Sequence, residues 1–210
     1  MSTGPADIRI LRAADRPATV WKNGGGVTRE IAAGPEGSDM AGFAWRVSFA
    51  EVAADGPFSE FPGVDRVLTL VEGAGMDLTV AGEHRLVDGR FAPQAFPGDR
   101  PTGCRLLAGP VVNFNVMCRR ETARARTAVV RGELALDTVP GETLLIVALD
   151  APALLAPAGP EEAVVLAPYD AVLTGGPGPL PPRMSLRTEG RAAVVRIGEG
   201  GGSGRPARAR

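Results

Sequence analysis

From Phe43 to Ala50 the chain alternates without interruption. Phe43, Trp45, Val47 and Phe49 fall on one side, and Ala44, Arg46, Ser48 and Ala50 on the other. A period of two belongs to a strand with two unlike faces, one of them apolar, and it cannot bury one stripe of a helix. The same grammar recurs. Val67–Val71 is a short apolar run with β-branched residues, and Met76–Val80 and His84–Val87 flank Ala-Gly-Glu as a hairpin. Asn113, Asn115 and Met117 alternate with Phe114, Val116 and Cys118. In the second half Ala128–Arg131, Leu134–Leu136, Thr143–Leu149, Ala163–Leu166, Ala171–Leu173 and Ala192–Ile197 are strand candidates, separated by PG, PAGP and GGPGPLPP turns. Pro152–Ala158 offers a short helical turn at most. Short strands at a spacing of roughly 8–12 residues predict an all-β sandwich or barrel with few helices.

The 28 glycines and 19 prolines are dispersed rather than periodic, which excludes collagen and fits frequent turns in a chain of 210 residues. No apolar run approaches the roughly 18 residues of a membrane span, so no membrane is expected as a partner. The start, MSTGPADIRI, shows no basic stretch followed by an apolar one, which makes the cytoplasm the expected location. Net charge is −1; Glu199 to Arg210 contributes +2 of it, leaving the body near −3. No basic stripe interleaves with aromatics, so nucleic acid is not expected either. Of 23 cations only Lys22 is a lysine, which fits a codon bias toward Ala, Gly, Pro and Arg. Cys104 and Cys118 lack metal spacing and are expected as reduced thiols on strands, and His84 is the only histidine.

Trp21 to Ile31, WKNGGGVTREI, sets three glycines between an aromatic-amide-cation start and the polar Thr28-Arg29-Glu30. Asn-Gly marks a tight turn, and a glycine run admits a close backbone approach. Neither a Walker sequence nor GxGxxG is present, so a phosphate cradle is a poor explanation. One or two glycines would serve a turn; a third beside this polarity points to a place where something binds.

WKNGGGVTREI, then FAWRVSFAEVAADGPFSEFPGVDRVLTLVEG, FPGD and NFNVM, together resemble the HutD/Ves family across Trp21 to Met117. The resemblance implies a bicupin, two RmlC-like (jelly-roll) β-barrels in one chain, and an association with bacterial histidine utilisation. It implies binding of a pathway metabolite such as urocanate or a formylglutamate. The expected division is an N-terminal cupin barrel over 1–118 with the ligand site, a degenerate C-terminal cupin barrel over 119–198, and a disordered tail over 199–210. Dimers are frequent among cupins, so a homodimer is expected by fold-level analogy.

Many cupins hold a divalent metal with two or three histidines and a glutamate, a set that one histidine cannot supply. No metal and no cofactor are therefore expected, and His84 reads as a surface or turn residue. Ser48 and Ser59 lack a GxSxG context, and His84 and Tyr169, which a sugar epimerase would need together, lie in opposite halves. What remains is hydrogen-bonding capacity in the first half. If the Phe43/Trp45/Val47/Phe49 face packs on a neighbouring sheet, Arg46 and Ser48 point into a barrel. Arg66 either pairs with Asp65 or meets a ligand. Asn113 and Asn115, beside Met117, either tie strands together or hold a ligand. Arginine's fork matches a planar carboxylate. The expected ligand site thus has Arg46 and Arg66 at the carboxylate, and Thr28 and Ser48 as hydroxyl donors. Asn23, Asn113 and Asn115 would read the other polar end, Trp21 or Phe96 would cover the flat part, and Glu30 would be a further contact. Phe96 to Asp99 reads as a rim turn, with a lid as the alternative. The rival functions are a metal-independent isomerase or hydrolase of a small organic acid, with Glu30 or Asp65 as base, and an assembly protein that only presents surfaces.

Overall fold

The computed structural model describes residues 8–157, 162–175 and 183–200, which form seventeen strands and one 3-10 turn, Ala13–Asp15. Strands are numbered along the chain. One antiparallel sheet runs in the order β2 (Ala18–Val20), β3 (Gly26–Gly34), β4 (Trp45–Val52), β11 (Val111–Arg119), β6 (Val64–Glu72) and β9 (Pro93–Pro97). A four-stranded sheet, β5 (Gly56–Phe58), β10 (Thr102–Leu106), β7 (Met76–Val80) and β8 (Glu83–Val87), packs on one of its faces. The core between them contains Val52, Leu68, Leu70 and Phe96 from the larger sheet and Phe58, Met76, Leu78 and Val80 from the smaller.

The third sheet has seven strands: β1 (Ile8–Leu11), β16 (Ala171–Thr174), β13 (Thr143–Ala148), β17 (Arg183–Glu199), β14 (Ala153–Pro157) and β15 (Val164–Leu166), with β12 (Ala123–Asp137) along the whole of β17. It carries apolar side chains on both faces. One set (Leu144, Ile146, Leu155, Leu186, Val194) fills its own curl, while Leu145, Val147, Ala193 and Val195 pack against Val47, Phe49, Phe114 and Val116 of the six-stranded sheet. A strand buried on both faces reads as a continuous apolar run, which is what Thr143–Leu149 shows.

Several expectations are corrected. Phe43 does not share the face of Val47 and Phe49: it precedes β4 and packs with Val64 and Met117, on the other side of the sheet. The strands expected at 128–131 and 134–136 are one bent strand, β12, with a bulge between Val130 and Gly132, where Gly132 takes φ +83°. The segment expected as a helical turn after Pro152 is β14. The N-terminal β1 pairs not with the first-half sheets but with β16, Ile8 opposite Thr174 and Leu11 opposite Ala171. The expected tail begins too early: Glu199 closes β17 opposite Ala123, and the Gly200 amide donates to Thr122 O at 3.0 Å, while 201–210 lie outside the described residues.

Asp170 locks the N-terminal segment to the third sheet. It is 5% exposed and accepts from the Ala13 amide (2.7 Å), the Ala167 amide (3.2 Å) and Arg12 Nη1 (2.7 Å). Arg12 Nη1 also reaches Val165 O of β15 (3.0 Å), so a side chain joins the two ends of the sheet's strand order. Burial pushes the Asp170 carboxyl up, but the donors from Ala13, Arg12 and Ala167 outweigh it and hold its pKa below the ordinary carboxylate value. A depressed folded-state pKa gives stability that is complete above the unfolded value and lost as pH falls through the folded one. Asp170→Asn should therefore cost about 3 kcal/mol at neutral pH. Its melting temperature should converge on the wild type's only in acid, as measured by thermal melts across pH.

Candidate functional site

The polar residues of the first half come together because strand register stacks them on one face of the six-stranded sheet. Arg46 lies opposite Met117, Met117 opposite Arg66, and Arg66 opposite Phe96. In the next row Glu30 is opposite Ser48, Ser48 opposite Asn115, and Asn115 opposite Leu68. In the third, Thr28 is opposite Ala50 and Ala50 opposite Asn113. Paired residues of an antiparallel ladder point to the same side. Leu68 and Phe96 of these rows, with Leu70 opposite Asn113, belong to the core shared with the four-stranded sheet, so the middle of this face looks into that space, while Glu30 at its edge is exposed.

Within it, Asn113 is fully buried and neither its Oδ1 nor its Nδ2 finds a partner among the described residues. Asn115 Oδ1 is likewise without one, and its Nδ2 makes only a long contact to Asn113 O (3.5 Å). Arg66 Nε is buried and unpartnered as well, and among the described residues no carboxylate reaches the guanidinium. Arg66 Cζ lies 5.2 Å from the Phe58 ring centroid, 5.8 Å from Phe61 and 5.1 Å from Phe96, so three aromatic rings take the place of a counter-ion. Burial pulls its pKa down to about 10, which leaves it charged at neutral pH.

The other expected residues are placed differently. Arg46 Nε donates to Glu30 Oε2 at 2.5 Å, with side chains 13% and 44% exposed, so this arginine is already neutralised and Glu30 is already engaged. Asp65 does not orient Arg66: adjacent strand residues face opposite sides, and Asp65 accepts from Arg120 Nε (2.7 Å). Arg120 also grips both oxygens of Asp99 (2.6 and 3.1 Å), and that hydrogen bond is the main reason the Asp99 carboxyl sits down at about 2. The FPGD turn is thus tied to the end of β11. Trp21 Nε1 donates to Thr28 Oγ1 (2.8 Å), and its ring meets Phe58 edge-on at 6.2 Å. Asn23 is exposed and spends its Oδ1 on the Gly25 amide (3.0 Å), so it stays on the turn and does not join the cluster.

Local shape explains two of the three glycines. Gly24 takes φ +69°, and a Cβ on Gly26 would lie 2.5 Å from Glu51 O and 3.0 Å from the Trp21 ring. The aromatic cage was missed in the sequence, since Phe58 and Phe61 sit in the irregular PFSEFPG stretch where no period places them. Two cavities, of about 390 and 430 Å³, open elsewhere, both against the second half of the chain.

Metal chemistry does not fit this face. Among the described residues no three His, Cys, Asp or Glu side chains converge, and a guanidinium beside neutral amides opposes a cation. His84 is 72% exposed on β8, its Nδ1 3.0 Å from Asp77 Oδ2. Both cysteines are free thiols, Cys104 raised to about 11 and Cys118 to about 12, chiefly by burial, which leaves neither a ready nucleophile.

Stacked antiparallel sheets with a polar inner face define a cupin-like all-β protein. A Cupin 2 conserved barrel domain protein from Leptotrichia buccalis superposes with a TM-score of 0.56 at 9% identity, covering 93% of this chain and 97% of that one. The HutD family profile matches residues 13–195, and the chain belongs to that family. It is 33% identical over 192 residues to an uncharacterised 21.2 kDa protein in the hutC 3′ region of Pseudomonas putida, covering 91% of this chain and 98% of the relative. Protein Ves of Cronobacter sakazakii is 40% identical over 114 residues, 54% of this chain and 61% of that protein. The solved structure of HutD from Pseudomonas fluorescens superposes with a TM-score of 0.79 at 34% identity, covering 91% of this chain and 98% of that chain. Among the described residues no helix is long and apolar enough to cross a membrane.

Proposed function

We propose that this HutD-family chain is a metal-independent cytoplasmic binding protein for a small organic carboxylate, urocanate or a formylglutamate, which modulates histidine utilisation by sensing or sequestering it. The proposed architecture is a bicupin. Its first barrel is built from the six- and four-stranded sheets and holds the ligand; the second is the curled seven-stranded sheet completed by β1. The observation that carries the reading is the caged Arg66 guanidinium, without a carboxylate partner among the described residues, beside the buried amides of Asn113 and Asn115. Each buried polar group without a partner costs about 1–3 kcal/mol, so a cluster of them calls for partners from outside the chain. A carboxylate on the Arg66 fork with its far end on the Asn pair would satisfy them together.

The genomic setting named for the Pseudomonas putida relative supports the link to histidine utilisation. An isomerase or hydrolase would need a free base, and the two acids offered for that role, Glu30 and Asp65, are engaged by Arg46 and Arg120. A thermal-shift screen of histidine-pathway acids, with and without a chelator, tests the reading. Urocanate or formylglutamate should raise the melting temperature equally in both conditions. Arg46→Ala should weaken the response without abolishing it, because its charge is already spent on Glu30. No shift with any of these acids overturns the binding reading, and loss of the shift with chelator overturns its metal independence.

A further inference from the structure

The seam between the six- and seven-stranded sheets holds a second arrangement that the first cluster does not involve. A cavity of about 430 Å³ opens there between the end of β6, the end of β13 and the turn before β16, walled by Glu72, Arg90, Leu149, Asp150, Pro168 and Tyr169. Two of the aromatic residues around it stand in left-handed backbone: Tyr169 at φ +70° and Phe91 at φ +66°. Bulky residues adopt that conformation only where the surroundings enforce it, and such positions gather at binding sites. Tyr169 is held on both sides, its amide donating to Ala148 O (2.7 Å) and its carbonyl accepting from Arg16 Nη1 (2.6 Å).

The charges at this seam are mixed. Tyr169 OH donates to Glu72 Oε1, and burial, then that hydrogen bond, keeps the phenol protonated far above its ordinary range, so it acts as a donor. Glu72 Oε2 has no partner among the described residues. Arg90 Nε is used on Val71 O (2.8 Å), while neither of its terminal nitrogens meets an acceptor among the described residues. Arg90 and Arg191 both stack on the Phe91 ring, at 4.8 and 4.5 Å, and Asp150 accepts both the Arg191 amide (2.6 Å) and its Nη1 (3.4 Å), so that pair is closed on itself. With Asp150 and Arg191 paired, one carboxylate (Glu72) and one guanidinium (Arg90) remain and balance, which disfavours a ligand of net charge and suits one that carries both signs.

We infer that this seam cavity is a second binding site, separate from the Arg66 cluster, for a zwitterionic α-amino acid: its carboxylate on the terminal N–H groups of Arg90, its ammonium on Glu72, and its side chain against Leu149, Pro168 and Tyr169. The fork geometry of arginine suits the carboxylate, and an acceptor-only carboxylate suits the ammonium. A free amino acid fits a cavity of this size.

Isothermal titration of the full chain with the standard L-amino acids tests this. At least one should bind, and its primary amide and its des-amino analogue should each bind at least tenfold more weakly. Glu72→Gln and Arg90→Gln should weaken binding to the same degree, while Arg66→Met leaves it unchanged and so separates this site from the first. Arg90→Lys, which keeps the charge without the fork, serves if the glutamine variant fails to fold, and it too should bind at least tenfold more weakly. No binding by any amino acid, equal binding of the des-amino analogue, or unchanged affinity in the Arg90 variants would overturn the assignment.

Discussion

An Arg66→Met protein should unfold at a higher temperature than the wild type and should no longer respond to urocanate or formylglutamate. The two effects have one cause. The guanidinium is charged, stacked among Phe58, Phe61 and Phe96, and among the described residues has no carboxylate partner, so the ligand-free fold bears its desolvation without an ion pair to offset it. Methionine keeps the apolar stem packed against the same rings and removes the charge. A gain of about 1–3 kcal/mol follows, since replacing buried charge by apolar groups of similar size is often stabilising by that amount. For a chain of this length that is roughly 2–10 °C in melting temperature. The ligand loses two charge-assisted hydrogen bonds, each worth about 1.5–3 kcal/mol, which is a loss of at least about 100-fold in affinity. If instead Arg66→Met lowers the melting temperature and the ligand response survives, the guanidinium is part of the packing and the site lies elsewhere.

The sequence shows which residues face the inside far better than it shows what they touch. Alternation along β4 and β11 is enough to place Arg46 with Ser48 and Asn113 with Asn115 on shared faces, because period two is a geometric property of any strand. Register between strands then depends on bulges, at Ile31 in β3 and at Val71 in β6, which leave no distinct local signal. That is why the engagement of Arg46 by Glu30, and of Asp65 by Arg120 fifty-five positions away, was not legible. Phe43 misled for the opposite reason: it continues the alternation on paper, but the chain turns at Gly42 before β4 begins, and its ring lands on the Met117 side. The N-terminal strand was invisible as a partner of β16 because a four-residue strand carries almost no periodic signal and its pairing spans over 150 positions. On paper the third glycine of WKNGGG points to a place where something binds, whereas φ at Gly24 and contact at Gly26 are tertiary demands that composition cannot display.

Phe114→Ala should be the most damaging single substitution in the molecule, and it bears on how the two halves relate. Phe114 is 0% exposed and lies opposite Phe49 in the ladder, ring centroids 5.5 Å apart; Phe49 in turn meets Tyr169 of the second half at 4.4 Å. The apolar cluster to which they belong draws Ile31, Val47 and Val116 from the first half, and Leu145, Val147 and Val195 from the second. Removing the ring opens a cavity inside that shared core and costs about 3–5 kcal/mol. Total stability for a domain is about 5–15 kcal/mol, so the melting temperature should fall by roughly 10 °C or more. Because the lost contacts belong to both halves, calorimetry should show one transition moved as a whole, and hydrogen exchange should accelerate in β13 and β17 as much as in β4. Met184→Ala, confined to the core inside the curl of the third sheet, supplies the contrast, with faster exchange expected first in β12, β14 and β17. A Phe114→Ala melt that splits into two transitions, the second at the wild-type temperature, would mean that the seven-stranded sheet folds without the seam. The halves would then be independent barrels in contact, and the seam cavity would lose its claim to a fixed shape.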